Sequence, residues 1–278
     1  KSYEGVIISC FLDYLLAEAN NNQIIKFANI PSDDPCSFKI EEYLISSNLF
    51  FKKELSGCPV LKFNGLNYKE IFKTFKKSHR TDIKRQIKRL NSLGDLELKR
   101  ITKNNELERH LENFFLMYRN RWKEYGQSDP MGNNLNKIFI KNLIRYFIGS
   151  KLHFSGVFLE GKPISYHIGF LFNNCFFYYK PTFDVEYSNY SPGKIHIALL
   201  IKKGCDENWK LFDFLQGFEE YKLDWANHTN NTISFIIAKR NSMMYKWQTG
   251  NKETYSKIFG KLYRRSKLIK QNILDKRR

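Results

Sequence analysis

Hydrophobic and polar positions fall along this chain in blocks whose spacing predicts most of its secondary structure. The first block, up to about Ala19, is apolar without a decisive period; a helix is expected, the alternative being a buried strand. Asn20 to Asn22 form a turn, Gln23 to Asn29 reads as a strand, and Asp33 and Asp34 suit the start of a helix through Phe38 to Ser47. Leu49 to Lys53 and Pro59 to Phe63 read as two strands parted by a Ser-Gly turn. From Tyr68 the pattern turns helical. Ile83, Ile87 and Leu90 share one face, with Arg80, Lys84 and Lys88 as a stripe beside them and Arg85 and Arg89 next to it. Gly94 to Ile101 alternates as a strand. Leu107, Leu111, Phe114, Tyr118, Trp122 and Tyr125 mark the buried stripe of a long helix, and a loop over Gly126 to Asn134 leads to another helix, from about Leu135 to Ile148.

Three strands follow, Leu152 to Leu159, Pro163 to Phe172 and Cys175 to Thr182. The turns between them, EGKP at Glu160 to Pro163 and Asn173-Asn174, make that part of the sheet antiparallel. The next stretch organises the chain. Ser191, Pro192 and Gly193 open a helix from Lys194 to about Cys205: serine suits a cap, proline the first turn, and glycine a close approach of ligand to backbone. Gly204 to Asn208 is the helix exit, Leu211 to Leu215 a short buried strand, and Gly217 ends it. Glu219, Glu220, Tyr221, Lys222 and Trp225 then crowd the carboxyl end of that strand, where α/β sheets usually hold ligands. Thr232 to Lys239 is a last strand, and Tyr255, Phe259, Leu262, Ile269 and Ile273 give a C-terminal helix its apolar edge.

Composition adds a partner class. Of a net charge of +18, the segment from Lys73 to Arg100 holds ten Lys/Arg against three acids and the segment from Lys239 to Arg278 thirteen against two, so the whole excess sits in these two places. Such a distribution favours an anionic partner: a phosphate-bearing cofactor, a nucleotide-linked or acidic substrate, RNA or a membrane surface. Five scattered cysteines without C-x-x-C spacing indicate neither a disulfide framework nor a zinc site, and a reducing cytoplasm fits them. Asp13 interrupts the most apolar run, which falls short of the roughly 18 residues that span a bilayer. The first residue is not Met, which leaves room for an upstream segment.

The motifs YSPG at Tyr190, FDFLQG at Phe212 and EEYKLDW at Glu219 resemble the CelD/BcsL-type acyltransferases of the GNAT superfamily, relatives of the FemABX aminoacyltransferases. The resemblance extends back through GKPISYHIGF at Gly161 and SHRTDIKRQIKRL at Ser78 to IPSDDP at Ile30 and on to Gln23. It implies an α/β (α+β) fold: a GNAT-like mixed, largely antiparallel sheet flanked by helices. It also implies two parts, a reduced N-terminal GNAT-like lobe over residues 1–66 and the acyltransferase domain over 67–278.

Acyl transfer from a thioester to an amine needs a phosphate site, polarisation of the carbonyl, a base for the amine and an acid for the thiolate. Under the resemblance, Tyr190, Ser191, Pro192, Gly193 and Lys194 would hold the diphosphate of acetyl-CoA or another acyl-CoA at the helix N-terminus. Lys222 lies where FemABX relatives carry an active-site lysine. Glu219 and Glu220 are rival bases, and Tyr221 is the candidate acid because GNAT enzymes often use a tyrosine after this strand. Asp213, buried between two phenylalanines, either pairs with Lys222 or accepts backbone N–H groups at the next turn, and is a catalytic candidate as well. Arg80 and Arg85 contact an anionic substrate or form a solvated face. His167 contacts the acceptor or is a core histidine, and Tyr178, Tyr179 and Trp225 flank a sugar or acyl chain or belong to the core. The expected function is an N-acyltransferase, most simply an acetyltransferase, acting on an amine of an anionic acceptor such as a nucleotide sugar or cell-envelope precursor, with no metal. The rivals are a FemABX-type enzyme using aminoacyl-tRNA and a non-catalytic RNA- or membrane-surface binder.

Overall fold

The structure, a computed structural model, describes residues 3–21, 23–47, 49–102, 104–239 and 243–250. The expected helix through Tyr255, Phe259, Leu262, Ile269 and Ile273 lies outside the described residues, as does most of the second basic segment. In chain order the elements are α1 (Glu4–Glu18), β1 (Ile25–Pro31), α2 (Pro35–Ser46), β2 (Phe50–Lys62), α3 (Tyr68–Thr74), α4 (Lys77–Asn91), β3 (Leu96–Arg100), α5 (Asn104–Glu124), α6 (Asn134–Phe147), β4 (Leu152–Leu159), β5 (Lys162–Phe172), β6 (Cys175–Phe183), a 3-10 turn (Val185–Tyr190), α7 (Pro192–Asp206), β7 (Leu211–Asp213), α8 (Glu220–Leu223), β8 (His228–Ala238) and α9 (Met243–Thr249). The chain divides into two units, Lys1–Gly57 with Asn230–Arg278, and Cys58–Thr229.

In the first unit the ambiguous opening block is a helix. Leu12 of α1 packs with Ile40 and Leu44 of α2 and with Ile233, Phe235 and Ile237 of β8. Asp34 caps α2 by accepting the Cys36 amide at 2.8 Å, the role its place before Pro35 suggested. The paired strands here are β1 and β8, antiparallel.

The two strands expected at Leu49 to Lys53 and Pro59 to Phe63 are one continuous strand, β2, and Ser56-Gly57 does not turn. Backbone pairing outweighs the local preference: the Pro59 carbonyl accepts from the Phe214 amide at 3.0 Å beside the Val60–Asp213 pair, and the Ser56 carbonyl also accepts from the Thr232 side-chain hydroxyl at 3.4 Å. Gly57 instead marks where an alternating pattern gives way to continuous burial through Leu61.

In the second unit, Val60 lies opposite Asp213 in an antiparallel pair, β7 runs parallel to β6, and β5, β4 and β3 follow in antiparallel order. The two turns expected from EGKP and Asn173-Asn174 close the β4–β5 and β5–β6 hairpins, with φ of 47° and 74° at Glu160 and Gly161 and of 51° and 59° at the two asparagines. The fold is mixed α/β with a mostly antiparallel sheet flanked by helices. On one face, Ile83 and Leu90 of α4 and Ile195 and Ile201 of α7 pack on Val157, Phe176, Tyr178 and Phe212. On the other, Leu111 and Phe114 of α5 and Ile140 and Ile144 of α6 cover Leu152, Phe154, Tyr166 and Ile168. Each fully buried side chain of this kind stabilises by about 1.5–3 kcal/mol, which fixes α7 and the strand ends against each other. Among the described residues no helix is long and apolar enough to cross a membrane.

Candidate active site

The first wall of the site is the start of α7. Ser191 does not cap the helix through its hydroxyl as expected; it takes the left-handed conformation (φ 53°, ψ 52°) and redirects the chain out of the 3-10 turn. Pro192 then occupies the first helical position, where its missing N–H costs nothing. The N–H groups of a first helical turn have no intrahelical acceptors, and the helix dipole adds positive charge there. Lys194, in the same turn, reaches Asp82 of α4 at 2.6 Å. Arg85 holds the other oxygen of that carboxylate at 2.6 Å, and the hydrogen bond from Lys194, the largest influence, keeps the Asp82 carboxyl below the ordinary aspartate value.

The second wall is the turn after β7. The strand expected through Leu215 stops at Asp213, because Leu215 is left-handed (φ 61°). Asp213 takes the second of its two expected options and accepts the Leu215 amide at 2.7 Å; burial raises its carboxyl above the ordinary range despite that bond. Gly217 has φ 120°, and a Cβ there would fall 2.4 Å from the Glu219 carboxylate, so only glycine lets the acid fold back over the turn. Lys222 of α8 is 5% exposed; its ammonium donates to the Gln216 carbonyl at 2.8 Å and pairs with Glu219 at 2.8 Å. Burial works to raise the Glu219 carboxyl, but the bond from Lys222, a backbone bond and the lysine charge together hold it below its ordinary value.

Two cavities meet between these walls. One, of about 190 Å³, is lined by Gly193 and Lys194, by Trp225 and by His79. The other, of about 330 Å³, is lined by Lys222 and Glu219, by Tyr179 and by Trp122. Tyr178, Arg121, Pro181 and Tyr221 line both, so the helix start and the lysine turn open onto a shared partition. Burial, followed by the Glu219 charge, pushes the Tyr221 phenol up to about 12, which keeps it protonated at neutral pH. A larger hollow of about 420 Å³, between Asn64 and Lys210 near the other end of α7, includes neither the α7 start nor Lys222.

A family model described as an acetyltransferase (GNAT) domain matches residues 77–223, more than half of the chain and both walls of this site. The chain belongs to the GNAT acetyltransferase family. It is an acyltransferase enzyme, and GNAT domains generally bind acyl-CoA. The solved structure of FemX is similar with a TM-score of 0.60 at 10% identity, over 88% of this chain and 79% of that one. L-PGS from Bacillus licheniformis is similar with a TM-score of 0.57 at 10% identity, over 87% and 75%. A conserved protein of unknown function from Bacteroides thetaiotaomicron reaches 0.57 at 14% identity, over 83% and 75%. At these identities the likeness is one of fold. No curated sequence matches this chain significantly.

Against this GNAT frame, the sequence-derived residues divide. Gly193, Lys194, Trp225, Tyr179, Lys222, Glu219 and Tyr221 line one cavity or both. Arg80 and Arg85 line neither: Arg80 donates to the Lys73 carbonyl at 2.6 Å and closes the end of α3, while Arg85 serves Asp82. Tyr190 lies under the Arg89 guanidinium, 4.5 Å from ring centre to carbon, and lines neither cavity. His167 is wholly buried, its ring stacked on Tyr178 with centres 4.1 Å apart and planes nearly parallel at 6°; it lines neither cavity, and neither ring nitrogen has a partner among the described residues. Three residues at or beside these cavities were not singled out from the sequence: His79 and Arg121, which line them, and Asp82, which lines neither but pairs with Lys194. His79 packs edge-on against Trp225 at 4.3 Å between ring centres, with Asp224 3.9 Å from Nδ1. Its signal was available, since His79, Ile83, Gln86 and Leu90 form the buried row of α4. Burial, the dominant influence, holds its ring below the ordinary histidine value.

Proposed function

We propose that this GNAT enzyme moves an acyl group, most simply acetyl, from coenzyme A to an amine on a nucleotide-linked sugar or cell-envelope precursor, in the manner of the CelD/BcsL-type enzymes it resembles in YSPG, FDFLQG and EEYKLDW. The observation that carries the reading is the meeting of two cavities at Tyr178, Arg121, Pro181 and Tyr221, one running from the anion-accepting start of α7 and the other holding Lys222. The donor phosphates fit the first-turn amides and Lys194, whose ion pair with Asp82 must yield to them or share the lysine. A cytoplasmic setting belongs to this reading because coenzyme A supplies the donor.

In the reaction the acceptor amine attacks the thioester carbonyl: a C–N bond forms, the C–S bond breaks, the amine gives up its surplus proton and the thiolate gains one. Lys222 donates to the oxygen on which charge develops, its third N–H being left after Gln216 and Glu219 take the other two. Glu219, on the wall of the second cavity, takes the proton, and Tyr221, protonated and common to both cavities, supplies one to sulfur. Asp213 lines neither cavity and holds the Leu215 turn, so it is a positioning residue.

A second reading, a FemABX-type transferase using aminoacyl-tRNA, is favoured by the exposed cations of α4, Lys77, Lys84, Lys88 and Arg89. Thermal-shift titrations separate the two. Stabilisation by coenzyme A with no response to tRNA supports the first reading, and affinity for tRNA that falls steeply with salt, without a coenzyme A effect, supports the second.

A further inference from the structure

The charges lining the second cavity do not cancel. Glu219 is the carboxylate there, and Lys222 already neutralises it at 2.8 Å. Arg121 and Lys180 line the same cavity, and neither has a carboxylate within ion-pair distance among the described residues. Arg121 spends one N–H on the Pro181 carbonyl at 3.2 Å and lies over the Phe183 ring at 4.7 Å. A guanidinium has five N–H groups in a planar fork, so it retains a face for a bidentate oxyacid. Lys180 lies over Tyr179 at 5.1 Å. Much of the remaining wall is aromatic, including Tyr118, Trp122 and Tyr179, which suits a ring rather than a flexible chain. Neither cation is needed to balance the fold, and the bond to Pro181 together with ring contacts holds the arginine in place without a counter-ion.

We propose that Arg121 and Lys180 are specificity-determining residues for the acceptor: the amine substrate is a ring compound bearing an acid group, phosphate or carboxylate, which these two cations clamp in the second cavity while the ring lies against Tyr118, Trp122 and Tyr179. This rests on the acyl-transfer reading and narrows it. Lysine and arginine act differently in such a clamp. Arginine supplies the bidentate geometry, and lysine a point charge.

The test uses the full chain and three probes: glucosamine, glucosamine 6-phosphate for phosphate, and muramic acid for carboxylate, each titrated by calorimetry with saturation-transfer NMR as a second readout. At least one acid-bearing probe binds at least tenfold more tightly than glucosamine, and whichever does so identifies the acid. Arg121→Gln and Lys180→Gln each reduce that preference about tenfold with the thermal midpoint unchanged, and Arg121→Lys restores part of it. Equal binding of all three probes, binding of none, or a preference that survives both Gln variants overturns the proposal. Titration of the wild type with acetyl-CoA, measured separately, reports on the acyl-transfer reading: donor binding without acid preference removes the clamp alone, and no donor binding removes the reading beneath it.

Discussion

Lys222 pairs with Glu219 at 2.8 Å while almost wholly withdrawn from solvent, although its partner carboxylate stays half exposed. A buried ammonium costs stability unless it is paired and hydrogen-bonded, and here the Gln216 carbonyl supplies the second bond. Replacing Lys222 with Met therefore removes the donor proposed for the developing oxyanion and leaves behind an acid that water can reach. The expected result is a fall in kcat of about 10²–10³ with little change in unfolding temperature. Steady-state kinetics alongside thermal unfolding checks both halves, and a variant with full kcat contradicts the role.

Lys194 is expected to act on the donor alone. Lys194→Ala should raise the KM for acyl-CoA about tenfold, or roughly 1.4 kcal/mol, with kcat nearly unchanged, since a phosphate contact made equally in ground and transition states lowers KM only. Asp82 loses one of its two cations in that variant but keeps Arg85 at 2.6 Å, so the fold should survive.

Gly204 lies inside α7, where alanine would gain about 1 kcal/mol of helix propensity. A Cβ there would meet the Phe63 and Trp209 rings at 2.7 Å each, and overpacking a tight core costs about 1–3 kcal/mol. Both rings are buried, so the second effect wins: Gly204→Ala is expected to lower stability by up to about 2 kcal/mol in urea unfolding. Stabilisation instead would show that the aromatic layer under α7 yields easily.

Three histidines set an acid limit on the fold. His196 bonds Ser155 at 3.0 Å and Ser165 at 2.9 Å, whereas His153 and His167 have no partner for either ring nitrogen among the described residues. Burial drives His153 and His196 down to about 3 and His167 well below its ordinary value. Since the folded values lie below the unfolded one near 6.5, their contribution is complete above that pH. It is lost as pH falls toward 3, because only the unfolded chain takes up the protons. Each histidine that only the unfolded chain protonates costs on the order of 1 kcal/mol per pH unit in that window. Urea midpoints measured from pH 7 to pH 4 should fall steeply, and His167→Gln, which cannot gain a proton, should flatten the slope.

The sheet was legible where local chemistry and the tertiary ladder agree, as in the hairpins at Glu160-Gly161 and Asn173-Asn174 and the buried rows of α4 and α5. It was misread at Ser56-Gly57, because a ladder to distant strands overrides a two-residue turn signal. Ser191 looked like a cap from its side chain, yet the 3-10 turn before it demanded a left-handed residue there. Lys222, Glu219 and Tyr221 were singled out as candidates because one stretch of seven residues, 219–225, holds them together. His79, Asp82 and Arg121 were not, since α4 and α5 bring them to the site across more than 60 residues of chain, and no periodicity records a contact of that range.

The most direct test is amide hydrogen exchange with and without coenzyme A. Slowed exchange is expected at residues 191–197, the opening turn of α7, and at 221–225, beside the shared partition, with the hollow near Trp209 unaffected. Protection confined to other segments, or none at saturating coenzyme A, would contradict the placement of the donor at the start of α7.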